Sequence, residues 1–128
     1  MRPITWIRGE HWTVCTVQTD NGERPVQHYL DNLDAGYDAS KRGLLHLFDR
    51  IGASAQGPRC LPAAICHQID GPIWQLTKGD LRLLWFYDPK ASRVIVCGHC
   101  FLKKGQKTPR SELATALRIH RAITGENS

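Results

Sequence analysis

The stretch Ile73-Trp-Gln-Leu-Thr-Lys78, Gly79-Asp80, Leu81-Arg-Leu-Leu-Trp-Phe-Tyr87 decides how this chain is read. Two β-rich runs flank a Gly-Asp pair, which is the short-range signature of a two-residue hairpin. Such a turn pairs Thr77 with Arg82 on one face and sets Trp74, Leu76, Leu83 and Trp85 on the other. The second face is the better core, so Arg82 is expected to point outward. A mostly apolar strand is an expensive place for a structural arginine, which marks Arg82 as a candidate functional residue. Downstream, Asp88-Pro89-Lys90-Ala91-Ser92 reads as a second turn and Arg93-Val-Ile-Val-Cys-Gly-His-Cys-Phe-Leu102 as a third strand. Three strands with short connections form an antiparallel meander.

Working outward, Trp12-Thr-Val-Cys-Thr-Val17 predicts a strand, followed by a turn at Asp20-Asn21-Gly22. Pro25 suits a first helical turn, and Val26, Tyr29, Leu30 and Leu33 repeat at helical spacing until Gly36. Ser40 is the expected cap of a second helix with the stripe Leu44, Leu47, Phe48 and Ile51, ended by Gly52. Residues 53–62 read as a loop, residues 63–70 have no decisive pattern, and Gly71-Pro72 marks a turn. After the meander, Thr108 and Pro109 predict a helix start, with Leu113, Ala116, Leu117 and Ile123 on its apolar face. Arg110, Arg118 and Arg121 line another face of that helix, Gly125 closes it, and 126–128 are expected to fray. The predicted order is β-α-α-β-β-β-α in one α+β domain spanning 1–128.

Seventeen Lys and Arg against twelve Asp and Glu give a formal charge of +5, and the excess is uneven. Between Lys90 and Arg121 lie ten basic side chains, His99 and His120 included, and a single acid, Glu112. A positive field concentrated in the C-terminal third favours a polyanionic partner such as nucleic acid. No run approaches the ~20 apolar residues that span a bilayer, and no apolar run follows Arg2 as a secretion signal requires. A cytoplasmic protein without a membrane partner is expected. Cys15, Cys60, Cys66, Cys97 and Cys100 are then buried thiols rather than a disulfide framework. Cys97-Gly-His-Cys100 and Cys66-His67 also invite a zinc reading. On a regular strand Cys97 and His99 share one face and Cys100 points the other way, so convergence on a metal is not expected.

Leu81-Arg82-Leu-Leu-Trp-Phe-Tyr87, then Val94-Ile-Val-Cys-Gly-His-Cys-Phe-Leu-Lys-Lys104, then Gln106-Lys-Thr-Pro109 and a charged amphipathic helix form a distinctive series. The series resembles the phage-related, HigB-like branch of the RelE/ParE toxins. The likeness runs roughly from Ile73 to Ile123, and Phe101 to Pro109 is its most specific block. It implies a RelE-like domain in which two N-terminal helices and a C-terminal helix pack on a small antiparallel sheet. It further implies the toxin of a type II toxin–antitoxin pair, a ribosome-dependent mRNA endoribonuclease. The implied partners are a cognate antitoxin of helix-turn-helix type, mRNA and the ribosome. The family usually places an Arg where this chain has Thr77, and Lys78 is expected to stand in for that cation.

The implied reaction makes plain physical demands. An RNA 2′-hydroxyl attacks the adjacent phosphate, so no cofactor or metal is needed to supply a nucleophile. Charge builds on the phosphoryl oxygens, where preorganised cations stabilise it. One group must take the hydroxyl proton and another must protonate the leaving oxygen. Arg82 with Lys103, Lys104 and Lys107, set before a helix N-terminus that itself favours phosphate, form the candidate scissile-phosphate site. His120 is either a histidine at the core edge or an acid–base group. Lys78, Arg110, Arg118 and Arg121 are candidate RNA contacts. Two rivals stand beside this reading: a non-catalytic inhibitor of another macromolecule, ParE-like, and a basic nucleic-acid-binding module, whose affinity would fall steeply with salt.

Overall fold

A computed structural model describes residues 1–125; the expected fraying of 126–128 lies outside the described residues. Strands β1 (Arg2–Arg8) and β2 (Thr13–Gln18) are followed by helices α1 (Pro25–Asp31) and α2 (Asp38–Ala53). Then come β3 (Cys66–Asp70), β4 (Ile73–Lys78), β5 (Leu81–Tyr87), β6 (Val94–Leu102) and helix α3 (Arg110–Thr124). The α+β class and the three helices match expectation, but the sheet is larger. Six strands stand in the order β1-β2-β6-β5-β4-β3. The meander β4-β5-β6 is antiparallel as read, whereas β2 joins β6 in parallel, so the sheet is mixed.

The strands missed by the sequence reading, β1 and β3, are the two edges. Edge strands need bond on one side only, which is why β1 tolerates Pro3 and why neither segment carries a long alternating pattern. Both also carry an irregular register, at Thr5/Ile7 and at Gln68/Asp70.

Hairpin β4-β5 follows the expected register, with Thr77 opposite Arg82, Leu76 opposite Leu83 and Trp74 opposite Trp85. Gly79 takes φ +58 while Asp80 does not turn positive, the pattern of a type II′ turn. One sheet face packs Leu76, Leu83 and Trp85 against Leu44, Phe48 and Ile51 of α2. The opposite face is not open. It buries Ile73, Leu84 and Phe86 under Ala116, Ile119 and Ile123 of α3. Arg82 therefore shares a face with a second core and sits beyond the end of its helical cover. A strand covered on both sides explains the nearly continuous apolar run of β5.

Several expected helix signals serve other purposes. A Cβ on Gly79 would lie 2.5 Å from Ser40 Oγ, so Ser40 packs beneath the hairpin turn inside α2 rather than capping it. Helix α1 ends at Asp31, not at Gly36, and Lys41 Nζ donates to the Leu30 carbonyl near that end at 3.1 Å. Gly52 does not stop α2. It permits close backbone approach of Gly9, and its carbonyl accepts bonds from the His11 and Trp12 amides.

Candidate active site at the hairpin end of the sheet

The loop 103–109 runs from β6 to α3 across the end of hairpin β4-β5. It is tied down at both ends. The Lys103 amide donates to the Asp80 carbonyl at 2.7 Å, and Thr108 Oγ1 donates to Gln75 Oε1 at 2.7 Å. Gln75 is only 7% exposed, so its amide needs partners, and Nε2 also reaches Thr77 Oγ1 at 3.4 Å. That demand corrects the expected cap. Thr108 spends its hydroxyl on the sheet, Pro109 takes the N-cap position, and no side chain caps α3. Arg82 is folded back over the turn, with Nη1 donating to the carbonyls of Gly79 at 2.7 Å and Leu81 at 3.0 Å. Its remaining guanidinium donors have no partner among the described residues.

Around this anchored loop the structure gathers Arg82, Lys103, Lys104 and Lys107 at the border of one recess. Arg82 and Lys107 also border an adjoining cavity of about 570 Å³ that extends to β3. No carboxylate borders either space among the described residues. The uncapped first turn of α3 adds its partial positive charge beside them. Glu112, on that turn, is shared between His99, whose Nε2 lies 3.3 Å from its Oε1, and Lys104, whose Nζ lies 4.0 Å from its Oε2. This pairing fits His99 as an ordering residue for the strand end. Gln75 was missed by the sequence reading, although a buried amide in an apolar strand is itself a signal.

Other candidates are not brought to this recess. Lys78 projects to the opposite face, where a Cβ on Gly43 of α2 would lie 2.3 Å from its Cε. It therefore does not replace the family's missing arginine in space. His120 is 8% exposed and meets Phe86 edge-on, with ring centroids 4.8 Å apart. Ten residues of helix set it about 15 Å along the axis from Arg110. Arg110 stands at the helix start, while Arg118 and Arg121 are exposed two to three turns further on.

The cysteine geometry differs from that of a regular strand. Leu84 pairs with His99 but Trp85 with Cys97, so Gly98 is an extra residue in β6. The bulge inverts the later faces. Cys97 and Cys100 are both buried on the α1/α2 side, while His99 turns to Glu112 on the α3 side. Among the described residues no three His, Cys, Asp or Glu side chains are grouped to hold a metal. Burial raises the Cys100 thiol to about 12 and the Cys66 thiol to about 11.

A larger cavity of about 680 Å³ lies among Trp12, Arg59, Trp74 and Tyr87, at the far end of β5. It offers one cation and several aromatic rings. Stabilising a phosphoryl transition state needs converging cations; the cavity beside Lys41 and Arg42 is also bordered by Asp31 and Asp38, whereas the spaces at Arg82 are bordered by cations and no carboxylate among the described residues.

A model of the Gp49-like family of phage-derived proteins (DUF891) matches residues 28–121, from within α1 to near the end of α3. The chain belongs to this Gp49-like family. It is a family of the RelE-like toxin type, in accord with the α+β architecture. The matched span includes β4, β5, β6 and the whole loop that carries Lys103, Lys104 and Lys107. No curated protein gives a significant sequence match to this Gp49-like chain.

Proposed function

We propose that this Gp49-like protein is a toxin of the HigB-like branch, and that it cuts mRNA on the ribosome by metal-independent phosphodiester cleavage. The supporting observation is the placing of Arg82 and Lys107 on a cavity of about 570 Å³ at the uncapped start of α3, with Lys103 and Lys104 gathered beside them and Glu112 the acid paired with Lys104. A phosphate seated in that cavity meets Arg82 and Lys107, with the partial charge of a helix terminus close by. The 2′-oxygen attacks phosphorus, the bond to the 5′-oxygen breaks, and the products are a 2′,3′-cyclic phosphate and a 5′-hydroxyl. Arg82 and the lysines stabilise the charge that grows on the non-bridging oxygens. The proton of the 2′-hydroxyl passes overall to the leaving 5′-oxygen, and Lys107, which borders both the recess and the adjoining cavity, is the group placed to hand it over. In this reading Arg110 extends the RNA track. Arg118 and Arg121 are peripheral contacts, and His120 supports the α3 interface rather than the reaction.

The protein acts in the cytoplasm in this reading, restrained by a cognate helix-turn-helix antitoxin whose acidic groups cover the cationic recess. No helix among the described residues is long and apolar enough to cross a membrane. The test is induction without antitoxin, followed by mapping of the 5′ ends of translated mRNA. New ends in register with the reading frame are expected, and they should vanish with Arg82→Ala combined with Lys107→Ala. Growth arrest without new ends would sink the cleavage reading in favour of a ParE-like inhibitor. RNA binding with neither arrest nor new ends would leave a binding module.

A further inference from the structure

The cavity bordered by Arg82 and Lys107 has a wall that phosphate binding alone does not use. It is formed by His67 of β3. The register places this residue without ambiguity. His67 stands opposite Gln75, Gln75 opposite Leu84, and Arg82 two residues before Leu84. All four are on one sheet face, with β4 between His67 and Arg82. Strands about 4.8 Å apart and two residues of offset set their backbones about 12 Å from one another, room for one ribose-phosphate between the side chains.

The imidazole is unusual in its own bonding. Nδ1 of His67 is enclosed and has no hydrogen-bond partner among the described residues. Burying an N–H without an acceptor is costly, and native structures carry very few such orphans. The ring proton therefore belongs on Nε2, the nitrogen that is not enclosed. An N–H donor then borders a cavity whose charged walls are Arg82 and Lys107.

We infer that His67 is a third substrate contact, donating its Nε2–H to the nucleotide seated between Arg82 and Lys107. The inference rests on the RNA-cleaving reading for the identity of that ligand. Arginine and lysine attract any phosphate by charge. A directional N–H donor across the cavity instead fixes where the attached ribose lies, and so sets the register of the phosphate to be cut.

Uridine 3′-monophosphate is a direct probe for the full-length protein. Calorimetry and ¹⁵N spectra of the imidazole rings should show binding that shifts the Nε2 signal of His67 and leaves that of exposed His46 in place. His67→Leu should weaken the probe about fivefold to tenfold, the worth of one hydrogen bond. His67→Gln keeps an N–H at a similar reach and should restore most of the affinity. A merely structural histidine would give no such rescue. Wild-type affinity in His67→Leu, or an unmoved His67 signal in the presence of bound probe, overturns the inference while cleavage dependent on Arg82 keeps the reading. Probe bound through His67 by a protein that leaves translated mRNA intact overturns the cleavage reading and keeps the contact. No binding of the probe by the wild type overturns both.

Discussion

Thr108 Oγ1 donates a 2.7 Å hydrogen bond to Gln75 Oε1 across thirty-three residues of chain, and this bond seats the cationic loop on the sheet. Thr108→Val keeps the shape and removes the donor, leaving an acceptor on a side chain only 7% exposed. The expected loss is about 1–3 kcal/mol of unfolding free energy. Urea denaturation checks it, with Thr108→Ser expected to stay near the wild type. Equal midpoints for all three proteins would show that the bond contributes nothing.

Two glycines should respond in opposite ways to the same substitution. Gly57 has φ +60, and a Cβ there would lie 2.3 Å from Trp12 Cε2. Gly57→Ala combines left-handed strain of about 1–2 kcal/mol with displacement of a packed indole, so a clear drop in Tm is expected. Gly36 has no atom within 4 Å of its would-be Cβ and no positive φ. Gly36→Ala should be neutral or stabilising by up to about 1 kcal/mol, because it restricts the unfolded chain. Thermal melts of the two variants side by side decide both points.

The buried thiols make stability fall at high pH. Burial is the main reason that Cys100 is raised to about 12 and Cys66 to about 11, from the usual 9.0. The folded state thus holds these protons more tightly than the unfolded chain does. Their contribution is fully present below pH 9 and is lost as pH rises from there toward the folded values. Urea midpoints should be level between pH 7 and 8 and decline by pH 10. Cys100→Ala should shallow that decline. A decline of undiminished slope in Cys100→Ala would remove Cys100 as its cause.

Lys78 and Lys107 separate position from charge. Each substitution to Ala removes one positive charge, but only Lys107 borders the recess, while Lys78 lies over Gly43 on the other sheet face. For RNA binding measured across a salt series, Lys107→Ala should reduce the slope of log K against log salt by about 1. Lys78→Ala should leave that slope unchanged. Equal reductions would mean that overall charge, rather than the recess, governs binding.

The sequence by itself determined the features that rest on neighbours in the chain. Gly79-Asp80 dictates the hairpin because its backbone demand is local, and period-two alternation then decides what faces Thr77 and Arg82. The same rule puts Lys78, one residue past Thr77, on the opposite face, which the expectation that it stands in for the missing arginine overlooked. The cationic loop and the helix after Pro109 were likewise visible as composition and spacing. Tertiary structure alone decided the parallel joining of β2 to β6, the edge strands β1 and β3, and the burial of both sheet faces. It also decided the bulge at Gly98, which turns Cys97 and Cys100 together and His99 away. The union of His67 with Arg82 and Lys107 in one cavity is of the same kind. Such features arise from pairings between distant segments, whose free energy comes from desolvating two surfaces at once. Neither segment carries that energy, or its signature, alone.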